Sequence, residues 1–158
     1  MKIEEEIKQN IFRNSHQKAG INLHFTYQWL INKYKNYFKP YGITLQQYNI
    51  LRILKGQYPK SISGTDVKVR MLDKSSDVSR LFQRLIQKKL VNKNISTSDK
   101  RSKDIIISEK GIALLLAIDS NAISLDHIIG SLSEKEAALL SDLLDKCREK
   151  KSPLKIRV

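Results

Sequence analysis

The sequence predicts a mainly helical α+β domain, and three observations carry that prediction. Apolar residues recur at intervals of three and four along most of the chain. Helix-start signals, two of them complete capping boxes, divide that pattern into segments. The two stretches that read as strands, Val91–Ser96 and Ile105–Ile107, sit close together. With 158 residues, 41% of them hydrophobic, the chain can build one core, and a second independent domain is not expected.

The elements follow in order. Ile3, Ile7 and Ile11 suggest a helical stretch at the N-terminus. From Leu23 through Tyr27, Leu30, Tyr34 and Tyr37 the spacing predicts one long helix, bent near Gly20 and stopped by Pro40-Tyr41-Gly42. Thr44 and Gln47 form a capping box with Ile43 and Tyr48 as its hydrophobic staple, so a helix begins at Leu45. It carries Tyr48, Leu51 and Leu54 inward and ends at Lys55-Gly56, where Gly56 can take the left-handed cap. Ser63 with Asp66 opens a short helix that turns Val67 and Met71 inward. After a turn at Leu72-Asp73-Lys74, Ser75 or Ser76 is expected to cap a helix whose Val78, Leu81, Phe82, Leu85 and Ile86 form an apolar stripe. A hairpin follows, its strands joined by the polar, basic segment Thr97–Lys103. Ser108 caps a helix expected to run through Ile112–Ile118 to Ile128 or Ile129. Ser133 and Glu136 form a second capping box, opening a last helix that carries Leu140, Leu143 and Cys147 on one stripe.

Helix, short helix, turn, amphipathic helix and basic hairpin is the order of a winged helix-turn-helix, whose third helix enters the major groove of DNA. The charge agrees. Of a net +13, the segment from Arg52 to Lys103 holds +10, fourteen basic residues against four acidic ones. An excess of this kind points to a polyanionic partner. Sequence must be read by side chains that reach base edges, and phosphate contacts add salt-dependent affinity. The candidates for the major groove are Ser75, Ser76, Ser79, Arg80, Gln83 and Arg84. Lys60, Lys74 and Lys93, with Lys100 and Lys103 of the hairpin, are placed for phosphates. Arg101 at the hairpin tip can enter the minor groove.

Other chemistry finds little support. The one cysteine, Cys147, excludes an intramolecular disulfide and fits a reducing compartment. Its place on an apolar stripe favours packing over redox sensing. His16, His24 and His127 lack metal-ligand spacing, and no GxGxxG or P-loop occurs. No cofactor and no enzymatic activity are expected. The longest apolar run, Ile112–Ile118, is too short to span a bilayer, and the acidic start at Glu4-Glu5-Glu6 is unlike a signal peptide. A cytoplasmic protein with no membrane partner is expected.

Ile43–Leu54 resembles the second-helix signature of MarR-type transcriptional regulators, and Asp77–Leu85 resembles their recognition helix. The series Lys88-Lys89-Leu90-Val91, Ser98-Asp99-Lys100-Arg101 and Ile105–Gly111 is similar to the family's wing in order and spacing. Two departures stand out: Lys89 holds the place of the usual Gly before Leu90, and Ser108 replaces Thr as the cap. The resemblance spans roughly residues 21–150. It implies a winged helix-turn-helix with N- and C-terminal dimerisation helices: one domain over 1–158, the DNA-binding module at 43–108, and dimerisation helices at 1–42 and 109–158. It also implies that Asp99 braces the wing while Arg101 reads the minor groove. A small aromatic or lipophilic effector would lie near His24, Tyr27, Trp29 and Tyr34. The expected partner is palindromic double-stranded DNA, bound by a homodimer as a sequence-specific regulator, most often a repressor. Leu23, Tyr27, Leu30 and Tyr34 with Leu140, Leu143 and Cys147 are the candidate interface, although packing within one chain accounts for them equally well. The rivals are a non-specific or architectural nucleic-acid binder, and a protein-interaction adaptor on the same fold.

Overall fold

The computed structural model describes residues 1–95, 103–121 and 125–149, save the side chains of Asn94, Ile95 and Lys103. The chain divides into two units, Met1–Leu125 and Asp126–Val158. In the first, α1 (Ile3–Ile7) is followed by α2 (Ser15–Phe38), a 3-10 turn over Lys39–Tyr41, α3 (Leu45–Lys55), α4 (Gly64–Arg70) and α5 (Val78–Gln87). The hairpin β1 (Val91–Ile95) and β2 (Lys103–Ile107) leads into α6 (Glu109–Asp119). In the second unit, a 3-10 turn at His127–Ile129 precedes α7 (Glu134–Arg148). Among the described residues no helix is long and apolar enough to cross a membrane.

Side-chain caps open the main helices. The Thr44 hydroxyl accepts from the Gln47 N–H at 3.2 Å, and the Gln47 carboxamide accepts from the Thr44 N–H at 3.1 Å. Ser63 caps α4 through the Asp66 N–H, and the Ser133–Glu136 box opens α7. The long helix starts at Ser15, ahead of its apolar pattern, because Asn14 accepts from the Gln17 N–H while Gln17 accepts from the Arg13 N–H. It stops as expected, with Gly42 in the left-handed region at φ 64°.

The core of the first unit lies under α5. Ile50, Leu51 and Leu54 of α3, Val67 of α4 with Met71 beyond it, and Val78, Phe82 and Leu85 of α5 close on one another. Leu90, Val91, Ile105 and Ile107 cover one side, Leu115 and Ile118 of α6 another. Phe38 is the buried residue of α2, stacked at 4.7 Å on Tyr48 and edge-on at 5.1 Å to Tyr37. The hairpin is antiparallel, pairing Val91 with Ile107, and Ile62 adds a bridge to Ile105 that ties the α3–α4 connection to β2.

Four expectations are corrected. The cap of α5 is Asp77, whose carboxylate accepts from the Arg80 N–H at 3.0 Å; Ser75 and Ser76 belong to the preceding turn. Gly56 is right-handed at φ −67°, since a run of turns and not a left-handed cap follows α3. The helix after Ser108 ends at Asp119, short of Ile128. There the Ser120 hydroxyl and the Asn121 amide donate to Ala117, and the Tyr37 hydroxyl of α2 donates to the Asn121 carbonyl at 3.1 Å, so the last turn finds its partners without continuing the helix. Cys147 is exposed in the single chain, as are Leu140 and Leu143 beside it, so its own unit does not bury the thiol.

Lys89, at φ 59°, occupies the left-handed position that ends α5. Its N–H donates to Ile86 and the next, from Leu90, to Leu85, closing a Schellman motif around a residue with a Cβ. Lys89→Gly is therefore expected to raise stability by about 0.5–1 kcal/mol, the left-handed penalty less the extra entropy of an unfolded glycine. Denaturant unfolding monitored by circular dichroism measures it.

Candidate nucleic-acid interface

The outer face of α5 is polar because its inner face is committed to the core. Val78, Phe82 and Leu85 point inward, which at helical spacing leaves Ser79, Arg80, Gln83 and Arg84 exposed on the opposite side. Two guanidiniums one turn apart, with an amide between them and a hydroxyl beside the first, can donate to guanine, adenine or phosphate without competing for space. Among the described residues neither Arg80 nor Arg84 has an ion-pair partner.

Ser75 and Ser76 are placed differently. Asp73 accepts from the Ser75 hydroxyl at 2.6 Å, the Ser75 N–H at 3.0 Å and the Ser76 hydroxyl at 2.9 Å. These bonds, the Ser75 hydroxyl foremost, hold the Asp73 carboxyl below its ordinary range. Both hydroxyl protons are thus spent on shaping the turn into α5, which leaves the serine oxygens as acceptors only. Thr44, Gln46, Ser76, Asp77, Arg80, Leu81 and Arg84 enclose a cavity of about 250 Å³ between the start of α3 and this turn.

The other predicted contacts are spread around that face. Lys60 is exposed in the turn after α3, and Lys93 is exposed on β1 opposite Ile105. Lys74 donates its ammonium to the Val69 carbonyl at the end of α4, which it caps. Asp99, Lys100 and Arg101 lie outside the described residues; Lys103 opens β2, and of its side chain nothing is described. The wing they belong to is fixed at its base. Ser108 donates its hydroxyl to the Lys89 carbonyl at 2.8 Å and caps α6 through the Gly111 N–H, joining the end of α5 to the start of α6 beside the strands.

Not all the module's charge faces outward. Arg52 donates to both carboxylate oxygens of Asp119 at 2.9 Å, with Lys55 at 3.6 Å, so these two cations hold α3 against α6. The sequence counts them in the excess charge of the basic segment because Asp119 lies beyond it. The aromatic candidates for an effector site are not gathered together either. Tyr34 packs on the core, while His24, Tyr27 and Trp29 are exposed. Two positions along a helix turn through about 200°, which sends Trp29 away from the Tyr27 face. None of the four lines the cavity between α3 and the turn into α5. Among the described residues, no group of His, Cys, Asp and Glu could hold a metal ion.

Three helices around one core, the third with a free polar face, and a hairpin braced at its base define a winged helix-turn-helix protein. No family model matches the chain. It is 28% identical over 130 residues to the HTH-type transcriptional regulator MhqR of Bacillus subtilis, a likeness covering 80% of this chain and 87% of that one. Its fold is similar to that of Bordetella bronchiseptica BpsR, with a TM-score of 0.75, 21% identity, and 90% and 100% of the two chains covered. It is similar also to a mutant of Escherichia coli MarR complexed with operator DNA, with a TM-score of 0.74, 21% identity, and 89% and 100% covered. In sequence the chain is similar to the transcriptional regulator MhqR, and in fold it is similar to MarR-type proteins.

Proposed function

We propose that the protein is a homodimeric, cytoplasmic repressor that binds a palindromic operator through two winged helices, with Ser79, Arg80, Gln83 and Arg84 in the major groove. The observation that carries this reading is the exposed face of α5, where two guanidiniums with no ion-pair partner among the described residues flank an amide. In the wing Asp99 braces the hairpin, Arg101 enters the adjacent minor groove and Lys100 and Lys103 contact phosphates, as do Lys60 and Lys93. A twofold dimer supplies two such heads at half-sites about 34 Å apart. Exposure of Leu23 and Tyr27 on α2 and of Leu140 and Leu143 on α7 supports pairing through the terminal helices. Release by a small aromatic or lipophilic effector completes the reading; its support is BpsR, whose DNA binding is regulated by 6-hydroxynicotinic acid.

Footprinting on genomic fragments, beginning with the DNA upstream of the protein's own gene, tests the proposal. A protected palindrome is expected, and repeating the footprint with phenolic ligands tests release. Arg80→Ala should cost about 1–3 kcal/mol per half-site, roughly 5- to 150-fold, and relax the preference at the base it reads. Steep salt dependence without a footprint indicates the architectural binder, and no DNA binding at all indicates the adaptor.

A further inference from the structure

Beside the reading face lies a second cavity, of about 670 Å³, lined by Lys35, Asn36, Lys39, Gly42, Ile43, Thr44, Gln47, Arg84 and Lys88. Four of these side chains are cations and none is a carboxylate. Two pairs are at work: Lys35 and Lys39 stand one turn apart at the end of α2, and Arg84 and Lys88 one turn apart on α5. Like charges at that spacing repel along each helix, and here the two pairs also share one groove, floored by Gly42–Thr44. Lys88 is held by donating to the Gly42 carbonyl at 2.6 Å. Lys35, Lys39 and Arg84 have no ion-pair partner among the described residues, unlike Arg52 and Lys55, which Asp119 neutralises. The groove is continuous with the reading face, because Thr44 and Arg84 line both cavities.

We infer that this groove is a second DNA-backbone surface, in which Lys35 and Lys39 at the end of α2 take phosphates next to those held by α5. Contact with the operator then extends beyond the module at 43–108 into a helix assigned to dimerisation alone. A phosphodiester backbone fits the observations better than a single small anion. The cations line an open groove that runs on from a DNA-reading helix, and a backbone presents a row of charges to match two pairs. This inference rests on the DNA-binding reading above.

The experiment measures binding of full-length protein to an operator fragment and to a random duplex as a function of salt, for the wild type and for Lys35→Gln with Lys39→Gln. Both residues are exposed, and unchanged circular dichroism and melting verify that the variant folds. Each lost phosphate contact flattens the plot of log K against log salt by about 0.9, so the double variant, losing two contacts in each subunit of the dimer, should be shallower by about 3.6. Its affinity for both DNAs should fall together, leaving the ratio between them unchanged. An unaltered slope overturns the inference, and so does a loss confined to the operator, which would mean base reading. Wild-type protein that binds neither DNA would instead refute the function proposed above.

Discussion

Gly111→Ala is expected to lower the stability of the protein by at least about 2 kcal/mol, a melting temperature lower by roughly 4–8 °C, with weaker operator binding as a consequence. Gly111 is the third residue of α6, where alanine would ordinarily help the helix by about 1 kcal/mol. Packing reverses the sign. A Cβ at this position would stand 2.3 Å from the Leu90 carbonyl oxygen and 2.7 Å from the Ile107 side chain. The first contact is with backbone and cannot be relieved by a rotamer. The same Leu90 carbonyl accepts from the Ser108 N–H, and the Leu90 N–H closes the end of α5 on Leu85. Moving Leu90 therefore disturbs the cap of α6, the end of the recognition helix and the root of the wing together. Thermal unfolding and operator titration of the variant measure both effects, and a variant as stable as the wild type would show that α6 can retreat from β1 without cost.

Local chemistry decided how much of this was legible. Thr44 with Gln47, Ser63 with Asp66, Ser108 and Ser133 with Glu136 could be read because a cap and its partner are three residues apart and need nothing from the rest of the chain. The stripe of α5 could be read for the same reason, and with it the residues left on its outer face. Asp77 was harder to pick. Ser75, Ser76 and Asp77 are all competent caps, and the choice falls to Asp73, which takes both serine hydroxyls. The Arg52–Asp119 pair, the approach of Gly111 to Leu90 and the groove joining Lys35 and Lys39 to Arg84 and Lys88 each join residues far apart in the chain. Net charge of the segment carries no information about which cations are already spent. The exposure of Leu140, Leu143 and Cys147 was illegible for a different reason: a stripe at helical spacing looks the same whether its own chain or another covers it.

Leu140→Asp with Leu143→Asp is expected to convert the protein to monomers and to weaken operator binding by about 100- to 10,000-fold. Helix α7 buries no residue in the single chain, and Leu139, Leu140 and Leu143 are 58%, 42% and 50% exposed. A unit of this size cannot form a core from one amphipathic helix, so its apolar stripe needs a surface to cover it. In the proposed dimer each leucine contributes about 1.5–3 kcal/mol by leaving water, and an aspartate there both forfeits that gain and must be desolvated. Separation of the subunits removes the second reading head. In a dimer the second half-site is engaged within an already bound complex, at an effective concentration that raises affinity 100- to 10,000-fold over one head. A monomer keeps the α5 face and the basic groove, so its binding to random DNA should weaken far less than its binding to the operator. Sedimentation of the variant with operator and random-duplex titrations reads all of this. A variant that still sediments as a dimer with an intact footprint would place the subunit interface elsewhere, on α2 alone.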